Sequence, residues 1–274
     1  MVNLRTLRLT LELRLRDWAY QNIRPRSGLP KVPVPPPRGV QESAFYQAVL
    51  QEALPPESRE EITDWIDVGC RNWGYLSGCL AALPQLKSGM GIERDPGRIH
   101  WNGYYRGDYA RAAALDSTTP SRNLEFIAGD FRKIEFPLSW SQVAQEWTQS
   151  SVRTALITHF FPFVSENPCQ KWGLPADYSD FTPLAAKTLE LLRTMPSENP
   201  SPGVWVSLHQ GEWEADIASD IWSGLGCHYH EKRLVPAALP GNWPGRHPLT
   251  LLVGRVPREE PRARLPSVFT LSDS

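Results

Sequence analysis

Residues 67–80 read DVGCRNWGYLSGCL, and the fold turns on how that stretch is parsed. The apolar run ITDWIDVG (62–69) leads into it and is short enough for a buried strand. Gly69 and Gly74 punctuate a turn, and GYLSGCLAALPQL (74–86) then carries an apolar helical pattern. Strand, glycine turn and helix in this order bring backbone N–H groups to one edge of a sheet, where a cofactor can bind. A dinucleotide loop of the form G-x-G-x-x-G needs its middle glycine so that the backbone can approach a pyrophosphate. Arg71 stands at that position, which argues against NAD.

The alternation continues beyond the loop. SGMGIER (88–94), LEFIAG (124–129), RTALITHFF (153–161) and GVWVSLHQ (203–210) read as strands. Between them a helix is predicted near Pro96, with Asp95 before it as cap. A polar helix is predicted over SWSQVAQEWTQ (139–149) and a further one over TPLAAKTLELLRTM (182–195). EWEADIASDIWSGL (212–225) reads as a helix stopped at Gly224 or Gly226. HYHEKRLV (228–235) and HPLTLLVGRV (247–256) are the last two strands. The segment joining them, PAALPGNWPGR (236–246), has no room for a crossover helix, so that pair is predicted antiparallel. The whole is an α/β fold with a mostly parallel sheet and helices on both faces.

Upstream, SAFYQAVLQEAL (43–54) is predicted helical, capped by Ser43 or Glu42, with its apolar faces covering the sheet. LRTLRLTLELRLRDWAY (4–20) fits two patterns: Leu4, Leu7, Leu11, Leu15 and Trp18 recur at helical spacing, while Leu7 to Leu15 also alternate as in a strand. Helix is preferred because RDWAYQN continues it without a turn signal. That segment reads either as a helix packed on the domain or as a protein-docking surface. Glu12 and Asp17 argue against a targeting helix, and arginines interrupt any signal-peptide core.

The totals exclude several classes. Net charge is −1 over 274 residues, so no dominant attraction to nucleic acid or anionic membrane is expected. No apolar run approaches the ~18 residues of a membrane span. Four cysteines (Cys70, Cys79, Cys169, Cys227) form no CxxC, so no zinc site is expected, and a reduced, cytoplasmic setting follows. His228 and His230 share a strand face without further ligands and read as exposed edge residues. There are 26 prolines, about twice the usual share. Many fall in PKVPVPPPR (30–38) and VPREEPRARLP (256–266), which mark linkers. The expected division is 1–58, a helical extension with a proline-rich linker; 59–256, the α/β domain; and 257–274, a flexible tail.

Ordered motifs on this scaffold resemble the class I S-adenosylmethionine-dependent methyltransferases over roughly residues 60–256. Asp67, Gly69 and Gly74 match the family's acid and glycine turn after the first strand. Glu93 in GIERDP matches the acid that binds the ribose hydroxyls, for which a carboxylate is a natural acceptor. Asp130 in AGDF matches the residue that accepts from the adenine amino group, with Phe131 near the ring. The end of the fourth strand, ITHFFPF, faces the reacting methyl group in the family. The resemblance implies a Rossmann-like three-layer sandwich, a mostly parallel seven-stranded sheet ordered 3-2-1-4-5-7-6 with an antiparallel C-terminal hairpin. It implies S-adenosyl-L-methionine as cofactor, held by Asp67, Gly69, Cys70, Arg71, Asn72, Gly74, Glu93, Arg94, Asp130, Phe131 and Thr158. Arg71 pairs with the methionine carboxylate on one reading and faces solvent on the other.

His159 and His209, at the ends of the fourth and fifth strands, are the candidate bases, since neutral imidazole suits proton removal from an acceptor. The segment HFFPFVSENPCQKWGLP (159–175) is read either as a wall of the acceptor pocket or as a loop docked by its aromatics. With no basic patch, the expected acceptor is a small molecule. The second functional reading is a non-catalytic relative that binds S-adenosylmethionine or a protein partner. Arg71, the leucine-rich N-terminus and the lack of an Asn/Asp-Pro-Pro-aromatic signature support it.

Overall fold

The computed structural model describes residues 4–22, 32, 38–100, 102–134, 154–172, 174–194, 202–235, 239–240 and 247–257. The predicted helix over 139–149, the proline-rich linker (30–38, except residues 32 and 38) and the C-terminal tail from 258 onward lie outside the described residues.

Helices α1 (Leu4–Asn22), α2 (Gly39–Ala53) and α3 (Pro56–Glu61) precede β1 (Ile62–Val68). Then come α4 (Leu76–Ala82), β2 (Ser88–Glu93), α5 (Arg106–Ser117), β3 (Asn123–Ala128), β4 (Thr154–Phe160) and α6 (Glu166–Lys171). The described chain closes with α7 (Phe181–Thr194), β5 (Gly203–Gln210), α8 (Glu212–Gly224), β6 (Tyr229–Leu234) and β7 (Leu249–Val256). The seven strands make one sheet in the order β3-β2-β1-β4-β5-β7-β6. The first four pairings are parallel, and β7 runs antiparallel to both β5 and β6. This is the Rossmann-like methyltransferase fold, terminal hairpin included.

Strand alternation divides the core into two layers. On one face Trp65, Leu156, Val206 and Leu208 pack with Phe45, Tyr46 and Val49 of α2 and Leu76 and Cys79 of α4. On the other, Ile66, Ile157 and Trp205 pack with Phe181, Ala185 and Leu189 of α7 and Trp222 of α8. The Trp205 and Trp222 rings stack with centroids 3.8 Å apart. Gly254 of β7 leaves the room Trp205 needs, because a Cβ there would enter the indole.

Two local expectations are corrected. The helix expected near Pro96 starts at Arg106 instead. Gly97 and Gly103 punctuate the intervening loop, which a bridge between Ile99 and Tyr105 closes. The helix begins only where the Tyr105 N–H is taken by Asp108 Oδ2 at 3.2 Å. Helix α2 begins at Gly39, after a left-handed Arg38, and not at Ser43. Ser43 Oγ instead meets Ser77 Oγ of α4 at 2.8 Å. As expected, α2 covers the sheet, burying Phe45, Tyr46, Val49 and Leu50 in the core.

α1 is helical over its whole predicted length. It lies against the loop that follows β2: Arg16 Nη2 pairs with Asp95 Oδ2 at 3.2 Å, and Gly97 gives way to the Arg16 carbonyl. Gly107 accommodates Tyr20, whose ring meets Tyr105 edge-on.

Candidate functional site

The C-terminal ends of β1, β2, β3 and β4 lie side by side, and their polar residues converge on one edge of the sheet. Asp67 and Thr158 are paired in register across β1 and β4. The fully buried Asp67 accepts hydrogen bonds from Thr158 Oγ1 and from the Tyr75 hydroxyl, each at 2.8 Å. Trp65 Nε1 donates in turn to Thr158 Oγ1 at 2.9 Å. Burial pushes the Asp67 carboxyl up to about 7, with the two hydroxyl donors holding it lower than burial alone would.

The turn after β1 is held on β2. Gly69 and Cys70 both donate their N–H to the Ile92 carbonyl, at 2.8 and 3.1 Å. Gly69 has a φ of 78° and open space where a Cβ would sit, so backbone is exposed at that point of the edge. Arg71 and Trp73 also take left-handed backbone, at φ 57° and 50°, an uncommon conformation for side chains of this size. Asn72 Oδ1 accepts from the Gly74 N–H at 3.1 Å and closes the turn. Cys70 is fully buried, and burial pushes its thiol well up.

Arg71 is partly exposed and braced from two sides. Its guanidinium pairs with Glu42 Oε1 of α2 at 2.9 Å, and its backbone N–H donates to Glu93 Oε2 at 2.9 Å. Glu93 Oε1 accepts from the Asp95 N–H at 2.7 Å and from Arg106 Nη1 at 3.2 Å. The buried Glu93 therefore ties the first-strand turn to α5, with acceptor capacity left on Oε2.

Beyond β3, Asp130 receives a bidentate fork from Arg132, Nε to Oδ1 at 2.9 Å and Nη2 to Oδ2 at 2.8 Å. Arg94 Nε adds a third contact at 3.3 Å. Burial would raise the Asp130 carboxyl, but the two guanidiniums outweigh it and hold it below the ordinary range. Both arginines also reach the short turn at Ala176–Ser179: Arg94 pairs with Asp177 Oδ2 and stacks 3.5 Å above the Tyr178 ring, and Arg132 donates to the Asp177 carbonyl at 3.0 Å. The two arginines thus tie Asp130 to this turn. Phe131 packs into the core instead of lying open at the edge.

The two histidines face away from this edge. His159 is fully buried, with Nε2 2.9 Å from Thr188 Oγ1 and the rings of Phe131, Phe181 and Trp222 around it. His209 is fully buried with Nε2 2.7 Å from Ser207 Oγ. Burial lowers both to about 3, so both are neutral imidazoles in a packed layer. Strand alternation turns both candidate bases into the α7–α8 side, while Thr158 faces Asp67. Glu214 behaves as a helix-terminal acid, accepting from the Gln210 N–H at 3.3 Å.

The sequence reading missed Tyr75, Arg106, Arg132, Asp177 and Glu42. Arg132 had a usable signal, two residues after Asp130 in GDFR. The others depend on tertiary approach and had none.

No family model matches the chain, and no curated protein is similar to it in sequence. Similar solved structures include a candidate RNA methyltransferase from Pyrococcus horikoshii, 14% identical, covering 76% of this chain and 81% of that one, with a TM-score of 0.45. An S-adenosylmethionine-dependent methyltransferase from Aquifex aeolicus is also 14% identical, with coverages of 78% and 91% and a TM-score of 0.45. Precorrin 8w decarboxylase from Methanobacterium thermoautotrophicum is 10% identical, with coverages of 76% and 88% and a TM-score of 0.42. The fold assignment rests on the strand order and hairpin of this chain itself.

Proposed function

We propose that this protein binds S-adenosylmethionine at the β1–β4 edge and transfers its methyl group to a small-molecule acceptor. The observation that carries the reading is the convergence of Asp67, Glu93, Asp130 and the open Gly69 turn on one edge of a sheet ordered 3-2-1-4-5-7-6. When bound, the cofactor would supply a methyl group activated on sulfonium. The chain's own residues fit the adenosine end of such a ligand. Glu93 Oε2 keeps acceptor capacity for a ribose hydroxyl, and Asp130 offers a carboxylate to an amino group once its arginines share it. With His159 and His209 buried, acceleration comes from holding acceptor and methyl in line and from excluding water. The near-neutral charge of the chain supports a small acceptor over a phosphate-tracked one.

The non-catalytic reading keeps one specific observation in its favour. Asp130 is already paired with Arg94 and Arg132, and Arg132 is tied in turn to Asp177. Mass spectrometry of small molecules released from the purified protein separates the two. Co-purified S-adenosylhomocysteine, the product of turnover, supports methyl transfer. Bound S-adenosylmethionine with no product formed over a panel of acceptors favours the non-catalytic reading, and release of a different nucleotide overturns both. The exposed face of α1 we read as a protein-docking surface.

A further inference from the structure

α1 carries two apolar faces, and among the described residues the domain covers one of them. Leu13 and Tyr20 are buried against the body of the protein. Leu4, Leu7, Leu11, Leu15 and Trp18 are all between 46% and 82% exposed. At about 100° per residue these five fall in one narrow stripe, on the side opposite Leu13 and Tyr20. A row of four leucines and a tryptophan is a larger apolar surface than scattered exposed residues make, and such a surface marks an interaction site.

The stripe has a symmetry of its own. Counted from Leu11, its members lie at −7, −4, 0, +4 and +7. A row of this kind matches itself when reversed: Leu4 then opposes Trp18, Leu7 opposes Leu15, and Leu11 opposes Leu11. A self-complementary patch is what a two-fold interface between identical chains requires. The flanking charges agree. Arg8 and Glu12 lie on one flank, paired at 2.7 Å and both partly exposed. An antiparallel two-fold keeps that flank beside the same flank of the second copy with its direction reversed, so Arg8 of one chain faces Glu12 of the other, twice. Opposed helix dipoles favour the same arrangement. A membrane surface fits less well, because an interfacial helix carries basic residues along its polar face and Glu12 and Asp17 interrupt that here.

We propose that α1 is a self-association helix, on which a second copy of this chain docks antiparallel about a two-fold axis at Leu11. This rests on reading α1 as a docking surface and is independent of the cofactor reading. The contact is one helix pair, at the small end of specific interfaces, so the dimer is weak and concentration-dependent.

Sedimentation velocity of the full chain from about 1 µM to about 500 µM is the first test. A shift from monomer to dimer is expected, and Leu11→Glu should weaken association at least tenfold by placing two carboxylates at the axis. Leu11 is half exposed, so the variant should fold, which circular dichroism and a thermal melt check. Cysteine cross-linking reads the geometry in a Cys227→Ser background, since Cys70, Cys79 and Cys169 are buried. Leu11→Cys alone should give a disulfide-linked dimer. Leu7→Cys alone should not, but mixed with Leu15→Cys it should. A Leu7→Cys homodimer would mean a parallel pair and overturns the proposal. So does a monomer at every concentration, whether the stripe is bare or covered by another part of the same chain. Binding of wild-type protein, but not of Leu11→Glu, to anionic vesicles without dimerisation assigns the stripe to a membrane and overturns it too.

Discussion

His159 and His209 show how one residue's face decides its role. Both stand at the carboxyl ends of strands, where open α/β sheets bind ligands, yet period-two alternation in β4 and β5 sends them into the layer with Phe181 and Trp222. Their position along the chain was legible and their direction was not, because which face of a strand meets the ligand is set by the neighbouring helices. Their depressed pKa gives a signed prediction. Between about pH 6 and 4 the unfolded chain takes up protons that the folded histidines refuse, so their stabilising contribution is present above pH 6.5 and lost as pH falls toward about 3. His159→Gln should remove about 1.4 kcal/mol per pH unit of that acid slope in urea unfolding. Histidine NMR should show that the rings of His159 and His209 do not titrate between about pH 5 and 8. Titration of either ring near 6.5 would contradict the burial. Asp67 runs the other way: raised to about 7, it is protonated in the folded state where the unfolded chain is not, so its contribution is fully present at low pH and lost as pH rises toward 7. Asp67→Asn should flatten that opposing slope.

Among the elements, the crossing of α2 and α4 builds the wall behind the β1 turn. Gly78 brings the two helices so close that a Cβ would collide with the Ser43 carbonyl. Gly78→Ala should therefore cost about 1–3 kcal/mol in urea unfolding in spite of alanine's better helix propensity, and unchanged or increased stability would show that the helices can part. From α2, Glu42 reaches Arg71, so the residue that departs from the glycine pattern is a strut between helix and turn. Nothing in DVGCRNWG announces that partner, which lies 29 residues upstream. The loop at 95–105 misled for a local reason. Asp95-Pro96 is a good helix start, but Gly97 and Gly103 follow, and the Asp95 carboxylate is already committed to Arg16.

For the molecule as a whole, topology was the most legible level. The alternation of strand and helix, and the short link before the last strand, were enough to anticipate the parallel sheet and its antiparallel hairpin. What could not be read was how the edge satisfies itself: Glu93 and Asp130 are held by Arg106, Arg94 and Arg132, partners that only the folded chain brings near. On the proposed reading, a cofactor entering this edge must share those carboxylates. Isothermal titration calorimetry of the wild-type protein with S-adenosylmethionine and S-adenosylhomocysteine, repeated on Glu93→Gln, decides whether it does. Binding by the wild type and a loss of affinity of about tenfold or more in Glu93→Gln, about 1.4 kcal/mol, are predicted. No heat at about 1 mM ligand, or equal affinity in the two proteins, would contradict the account.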